Sequence, residues 1–288
     1  MTTAGPSVIV DAETMADLSD TELVASARAG NGAALEELLV RHQPRIYRFG
    51  MKMCRDPEDA SDVLQETLLA MARTIGDFRG ASSLSTWLYT ITRSFCIKKR
   101  RKSKFAPAVE ESLDSITPAE RESLRGASRG PEEDLAGREV QEILDRAIGS
   151  LDPVSREVLV LRDVEGLSAP EVAEVLGLRV EAVKSRLHRA RIAIRNLVAP
   201  ALLAPAETPA AECPDVLALF SRHLEGDIGP DLCARMEEHL EGCSHCRGTC
   251  DSLKRTLALC RSHGAPEVPA DVQRAVRAAL RTFVVPPS

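Results

Sequence analysis

The sequence is poor in aromatic residues, has no long apolar run and shows no clear stretch of strand-like alternation. Without an apolar run of about 18 residues, a membrane-spanning helix is excluded. Residues 1–20 also lack the basic end and apolar stretch of an export signal. The missing alternation argues against a β-sheet. We therefore expect a cytoplasmic, helical protein.

Composition is otherwise that of a folded protein. Hydrophobic residues make up 44% and charged residues 28% of the chain, too apolar for a fully disordered protein. The 288 residues exceed a typical domain of about 100–200 residues, which predicts two or three domains. Eight cysteines in a chain without an export signal are more typical of thiols, metal ligands or redox sensors than of a disulfide framework.

Charge is strongly segregated along the chain. The net charge is −6, but residues 41–104 carry +8 and residues 179–195 carry +5, while residues 105–139 between them carry −5. Two cationic blocks around an acidic spacer indicate two surfaces for one polyanion. The alternative is that both blocks are ordinary solvated helix faces.

Helix start and stop signals recur along the chain and favour an all-α fold. They are Ser19 with Glu22, Asp56 with Pro57, Ser168 with Glu171 and Pro170, and Gly177. Segments rich in Pro, Ser, Gly and acids, or in Ala and Pro, are typical of linkers. We predict a helical domain at 18–104, an acidic flexible linker at 105–138, a second helical domain at 139–198, a spacer at 199–212, a small helical Cys-rich domain at 213–262, and a tail at 263–288 that can form an amphipathic helix.

The helix that begins at Asp56 has one polar face. Its polar residues recur at helical spacing and are Asp59, Asp62, Gln65 and Glu66. This face suits a docking surface for a partner, and it equally suits contact with solvent.

The next segment, residues 78–105, combines aromatic and cationic residues. Of only nine aromatic residues in the chain, five lie within 28 residues: Phe78, Trp87, Tyr89, Phe95 and Phe105. They are interleaved with Arg79 and Arg93 and run into six cations within residues 97–104, among them Lys98, Lys99, Arg100 and Arg101. Aromatic rings can stack on unpaired bases while cations neutralise phosphates, so the segment predicts a surface for opened DNA or RNA. The alternative is that rings such as Phe78 and Trp87 are core.

A short helix, a glycine turn and a basic helix at residues 168–195 are typical of a helix-turn-helix. The amino-terminal turn of the second helix is expected to face base edges, and its later cations to contact phosphates. Readout candidates are Arg179, Glu181, Ala182, Ser185 and Arg186; phosphate candidates are Lys184, His188, Arg189 and Arg191. A helical hairpin that does not bind DNA is the alternative.

These segments resemble a known family in several places. Residues 59–67, 78–80 and 85–93 are similar to region 2 of the extracytoplasmic-function sigma factors, with Leu84 and Ser94 as departures from the usual pattern. Residues 183–191 resemble the closing motif of sigma region 4. The resemblance implies that the acidic face docks on the β′ clamp of core RNA polymerase. It also implies that residues 78–93 hold open the promoter minus 10 element, and that the helix-turn-helix binds the minus 35 element and the β flap.

Six of the cysteines crowd into 48 residues of the Cys-rich domain, whereas Cys54 and Cys96 are isolated and are predicted to be core residues. His239, Cys243 and Cys246 form H-x3-C-x2-C, which lets an imidazole and two thiolates converge on a tetrahedral cation. Cys213 can return as the fourth ligand. The pattern resembles the zinc-binding anti-sigma domain, including the 26-residue gap from Cys213 to His239.

Three further thiols remain as candidate sensors: Cys233, Cys250 and Cys260. Thiolates suit zinc, cadmium and Cu(I), so ligand type leaves the ion open among zinc, copper and cadmium. The whole arrangement resembles the CorE-like metal-responsive sigma factors. It implies a sigma factor, not an enzyme and without catalytic residues, that is regulated by metal on its own tail and could make a separate anti-sigma factor unnecessary.

Other functions remain as alternatives at this point. One is a redox-sensing sigma factor, whose Cys-rich domain switches by thiol oxidation and metal loss. Another is a metal-dependent nuclease, which would need an open coordination position. The last is a repressor-like adaptor that binds promoters without polymerase.

Overall fold

The computed structural model describes residues 15–54, 56–105, 131–202, 213–262 and 267–284. These residues form helices and connecting turns, with no strand among them, which confirms the predicted all-α fold. The helices are α1 Asp20–Arg28, α2 Gly32–Cys54, α3 Pro57–Thr74, α4 Leu84–Phe105, α5 Pro131–Ser150, α6 Pro153–Leu159, α7 Ala169–Leu176, α8 Val180–Leu202, α9 Val216–Leu224, α10 Pro230–Gly242, α11 Ser244–Ser262 and α12 Ala270–Val284. A 3₁₀ turn spans Ile75–Asp77, and a π-helical segment spans Val160–Val164.

Local sequence signals account for the helix ends. Ser19 and Ser168 each cap a helix through a capping box with the glutamate three residues later. Gly177 ends α7 at φ +66°, a left-handed conformation that a residue with a Cβ rarely adopts, and so sets the tight turn into α8.

Two helices extend past the predicted domain limits. α5 begins at Pro131, inside the segment predicted as linker, and α8 continues to Leu202, inside the predicted spacer. Proline at the first helical position and acids in the first turn favour a helix start at 131–134. Residues 106–130 and 203–212 of the predicted linker and spacer lie outside the described residues.

The chain divides into two compact units. The first comprises Met1–Gly50, Glu58–Val109 and Pro266–Ser288. Its core is lined by apolar side chains of α1 to α4, which include Leu23, Leu38, Phe49, Leu64 and Leu88, all at most 2% exposed. Cys96 is buried in this unit, in line with its predicted structural role. The C-terminal amphipathic helix α12 belongs to the same unit, and its Val276 is buried.

The second unit, Met51–Pro57 and Glu110–Ala265, contains the helix-turn-helix domain and the Cys-rich domain. α8 packs against α5, α6 and α7 on the helix-turn-helix side and against α9 and α11 of the Cys-rich domain. A cluster of Val216, Phe220, Cys246, Cys250, Leu253 and Leu257 forms the Cys-rich core. The helix predicted to bind DNA is therefore also the helix on which the Cys-rich domain packs.

None of the described helices is long and apolar enough to cross a membrane.

Candidate nucleic-acid interface and metal centre

The polar face of α3 is paired with lysines of α4. Lys99 forms ion pairs with Asp59, at 3.3 Å, and with Asp62, and its side chain is 17% exposed. Lys98 Nζ lies 4.0 Å from Glu66. The hydrogen bond to Asp62 is the main reason that the pKa of Lys99 is raised. The acids predicted to bind polymerase and the lysines predicted to bind DNA thus pair with each other on one surface. Because these ion pairs are partly exposed, each contributes little stability, and a partner can replace the lysines.

The aromatic residues of this unit divide into surface and core. Phe78 and Trp87 pack together with ring centroids 5.1 Å apart, and both remain partly exposed. Tyr89 is only 3% exposed and packs on Phe49 at 5.4 Å. The structure therefore places Tyr89 in the core instead of on the expected DNA-facing surface, because i+2 spacing from Trp87 puts its ring on another face of α4.

A cleft of about 430 Å³ adjoins the exposed aromatic pair. It lies between α1 and the loop that leads into α4, and its lining includes Arg28, Phe78 and Arg79. Arg79 and Arg101 are exposed, while Arg93 and Arg100 are half-buried. Among these predicted DNA-binding residues, Phe78, Arg79 and Trp87 are brought together at the cleft or beside it.

In the helix-turn-helix, α8 presents its amino-terminal half outward. Arg179, Ser185 and Arg189 are exposed, and Lys184, Arg186 and His188 are half-buried. The apolar residues Val183, Leu187 and Ala190 between them are buried, which fixes the rotation of the helix. This is the polar and apolar division expected for a recognition helix packed on its own domain.

Arg191 departs from the predicted phosphate contact. It is fully buried and forms a bidentate pair with Asp163, with Nε–Oδ2 at 2.8 Å and Nη2–Oδ1 at 2.7 Å. Nη2 also contacts Glu225 Oε1 at 2.7 Å, and Nη1 donates to Ser221 Oγ at 3.3 Å. Burial alone would lower the pKa of Arg191, but the hydrogen bonds to Asp163 and Glu225 outweigh it and raise the pKa. Arg191 is a structural residue in this conformation.

Sequence reasoning missed Asp163 and Glu225. Asp163 stands inside the apolar stripe that ends at Val164, and a carboxylate in such a position indicates a buried cationic partner. Glu225 directly follows α9 and carries no comparable signal.

Further contacts fasten the Cys-rich domain to the helix-turn-helix domain. Arg162 Nε lies 3.0 Å from Glu225 Oε2, and Lys184 forms an ion pair with Asp227. Arg195 Nε donates to Ser252 Oγ at 3.0 Å. In this conformation Lys184, a predicted phosphate contact, is held by a carboxylate of the Cys-rich domain.

The four predicted metal ligands converge. The ligand atoms of Cys213, His239, Cys243 and Cys246 all lie within 4.8 Å of one another, and the two Sγ atoms of Cys213 and Cys243 are 3.7 Å apart. His239 Nε2 is buried and makes no hydrogen bond within the described residues. Three soft sulfur atoms and one orphaned imidazole nitrogen fit a tetrahedral, thiophilic cation.

Local structure builds this site from three elements. Cys213 precedes α9, His239 lies near the end of α10, and Cys243 and Cys246 bracket the start of α11. The backbone N–H of Cys246 donates to Cys243 and lowers its pKa, while burial raises the pKa of Cys246 to about 12. A bound cation favours the thiolate of both.

The three remaining thiols lie in different surroundings. Cys250 and Cys260 are buried, and burial raises the pKa of both, that of Cys260 to about 12. Cys233 is half-buried, with Sγ 3.6 Å from His223 Nδ1 and 3.7 Å from Glu237 Oε1. Partial desolvation and, after it, the Glu237 carboxylate raise the pKa of Cys233. None of the three joins the four-ligand cluster.

These surroundings predict the order of thiol alkylation. With the four-ligand site loaded with zinc at pH 8, iodoacetamide is expected to modify Cys233 well before Cys250 and Cys260, because those two sulfurs are buried. Peptide mass spectrometry over time measures the order. Equal rates for all three would show that the Cys-rich core is open in solution.

Family models match three parts of the chain. The family model for sigma-70 region 2 matches residues 38–105, that for sigma-70 region 4 matches residues 141–194, and that for a putative zinc-finger matches residues 213–247.

Curated relatives cover the larger part of the chain. It is 32% identical over 180 residues to the ECF RNA polymerase sigma factor SigM of Mycobacterium tuberculosis. This match covers 62% of this chain and 85% of that protein. It is 32% identical over 190 residues to the ECF RNA polymerase sigma-E factor of Escherichia coli, which spans 64% of this chain and 96% of that protein. It is 30% identical over 188 residues to the RNA polymerase sigma-H factor of Pseudomonas aeruginosa, 64% of this chain and 95% of that protein.

Proposed function

Since the chain belongs to the extracytoplasmic-function RNA polymerase sigma factors, which direct transcription initiation, we propose that a metal ion bound by its Cys-rich domain regulates that activity. A single observation carries the proposal. The four convergent ligands sit in a domain that packs directly on α8, the helix expected to bind the promoter. Metal occupancy can therefore affect promoter binding through direct contact.

The promoter is engaged by two surfaces in this proposal. Phe78, Arg79 and Trp87, beside their cleft, hold the opened minus 10 element, aided by the cations at the end of α4. Arg179, which directly precedes α8, and Ser185 of α8 read the minus 35 element, with Arg189 on phosphate.

Core RNA polymerase binds the acidic face of α3 through its β′ clamp. Asp62 is exposed, and Asp59, Gln65 and Glu66 lie beside it. Their pairs with Lys98 and Lys99 are partly exposed and exchangeable, so a basic polymerase surface can replace the lysines. The β flap binds the helix-turn-helix domain.

The ligands act as a closed site. Cys213, His239, Cys243 and Cys246 would hold zinc or another thiophilic ion, which on binding joins the start of α9, the end of α10 and the start of α11. Regulation then follows from a shift between a population in which the Cys-rich domain covers α8 and one in which α8 is free.

Run-off transcription with purified core RNA polymerase tests the proposal. The wild-type chain and Cys243→Ser are assayed across zinc, cadmium and copper under strictly reducing conditions. At least one ion is expected to change wild-type output about 5-fold to 150-fold, the range of typical coupling free energies, and to leave Cys243→Ser unchanged. Cys233→Ser is the matched control, since it removes a thiol outside the cluster. Output insensitive to every ion would refute metal regulation.

A redox-sensing sigma factor is the second candidate. The 3.7 Å separation of Cys213 Sγ and Cys243 Sγ favours it, because once the ion is lost an oxidant such as a peroxide can take two electrons and two protons from these thiols and leave a disulfide. A response to metal that persists under strictly reducing conditions excludes oxidation as the required signal.

A further inference from the structure

Acidic residues that follow α9 form ion pairs with cationic side chains of the helix-turn-helix domain. Glu225 bridges two guanidinium groups, with Oε2 3.0 Å from Arg162 Nε and Oε1 2.7 Å from Arg191 Nη2. Two residues later, Asp227 pairs with Lys184 on α8. Both carboxylates come from the Cys-rich domain, and all three cations come from the helix-turn-helix domain.

The two carboxylates differ in how far their ion pairs are buried. The side chains of Glu225 and Arg191 are 5% and 1% exposed, so the pair is shielded from water and salt. The pair of Lys184 and Asp227 is more accessible, at 29% and 33%. A carboxylate on Lys184 stands where a DNA phosphate is expected to bind, since both ligands offer anionic oxygens to the same ammonium group.

We propose that Glu225 and Asp227 form a phosphate-mimicking clamp that competes with DNA for α8, and that metal binding closes the clamp. The proposal rests on the metal site of the proposed function. It adds the contacts through which the metal acts, and whether the metal raises or lowers the affinity for DNA. Metal favours the covered state, so it lowers the affinity of the sigma factor for DNA.

Helix α9 connects the two sites. Cys213 lies just before α9, where Asp215 caps the helix by accepting from Ala218 N at 3.0 Å. Glu225 directly follows the last residue of α9. Along the helix, apolar side chains pack in the same cluster as Cys246, one of the ligands. A cation that fixes Cys213 and Cys246 therefore holds α9, and the carboxylate at its other end, in the clamped position.

The left-handed turn at Gly226, with φ +70°, places Asp227. Glycine adopts this conformation without a steric penalty, and Arg222 Nη2 donates to the carbonyl of Asp227 at 3.1 Å. The short loop after α9 is thus held by its own contacts and presents both acids to the neighbouring domain.

Linkage gives the proposal a quantitative form. If metal lowers the affinity for DNA by some factor, DNA must lower the affinity for metal by the same factor. We expect this factor to be about tenfold, or about 1.4 kcal/mol.

The test uses the full-length chain and a labelled duplex DNA of random sequence, with binding followed by fluorescence anisotropy with Zn²⁺ or with chelator. Wild-type protein is expected to bind about tenfold more weakly with Zn²⁺. Glu225→Gln/Asp227→Asn is expected to bind tightly in both conditions while still binding Zn²⁺. Asp231→Asn/Glu238→Gln, which neutralises two exposed carboxylates on α10, controls for the two lost charges and is expected to behave as wild type.

Each outcome decides one point. Wild-type affinity for DNA that is equal or higher with Zn²⁺ overturns the direction, and a double variant that still responds to Zn²⁺ as wild type does overturns the clamp. Should the double variant unfold, the more accessible Asp227→Asn alone must still weaken the Zn²⁺ effect. If Zn²⁺ changes transcription but leaves the affinity of wild-type protein for DNA unchanged, the proposed function stands and the clamp fails. If Zn²⁺ does not bind wild-type protein, the clamp proposal fails, and the transcription assay with cadmium and copper decides the proposed function.

Discussion

Replacing Arg191 with alanine is expected to lower the free energy of unfolding of the second unit by about 3–5 kcal/mol, the usual cost of removing one partner of a buried ion pair. The variant leaves Asp163 buried without its bidentate guanidinium partner, and it leaves Glu225 with Arg162 alone among the pairs described above. Urea denaturation followed by circular dichroism measures the change.

Arg189→Ala is the matched control for this prediction. Arg189 lies two residues earlier on α8 and is exposed, so its replacement is expected to change stability by at most about 0.5 kcal/mol. The sequence pattern predicted the opposite role for Arg191, a phosphate contact. If that role were correct, Arg191→Ala would keep its stability and reduce the salt dependence of DNA binding by about one phosphate contact, as measured by anisotropy.

Cys246→Ser is expected to abolish stoichiometric zinc binding and the ordered packing of the Cys-rich domain. Structural zinc in small domains contributes an apparent binding free energy of about 10–16 kcal/mol, far more than a single side-chain contact. The Cys246 thiol is both a candidate ligand and part of the Cys-rich core, so its loss affects both. Metal content after dialysis and the helical circular dichroism signal report the two effects.

Two controls accompany the Cys246→Ser variant. Cys233→Ser removes a thiol outside the four-ligand cluster and is expected to keep full zinc content. A chelator added to wild-type protein is expected to reproduce the spectrum of Cys246→Ser. Retention of stoichiometric zinc by Cys246→Ser would show that this cysteine is not a ligand.

The all-α fold and the helix ends could be predicted because they depend on local chemistry. The capping box at Ser168 and the left-handed Gly177 are each encoded within a few residues and are found as expected. The convergence of the four candidate metal ligands could also be predicted, because H-x3-C-x2-C restricts the geometry by itself and family resemblance supplied Cys213. The helix ends and most of the metal-ligand motif are thus encoded in short segments of sequence.

Burial of particular side chains could not be predicted in the same way. The sequence shows that α8 is basic, but which of its cations faces solvent depends on the domain that packs against it. Arg191 is enclosed by Asp163 and Glu225, 28 and 34 residues away, and no local pattern encodes that pairing. Tyr89 likewise belongs to an aromatic cluster in sequence but packs on Phe49 from another helix.

The π-helical turn at Val160–Val164 contains Asp163, the carboxylate that pairs with Arg191. Glu165 N bonds Val160 O at 2.9 Å, five residues back, so this turn holds one residue more than an α-helical turn would. Deleting a residue here would restore ordinary helical hydrogen bonding, because a π-helical turn takes up one extra residue without rotating the helical residues on either side of it. Asp163 lies within the widened turn, so we expect the deletion to move its carboxylate out of line with Arg191.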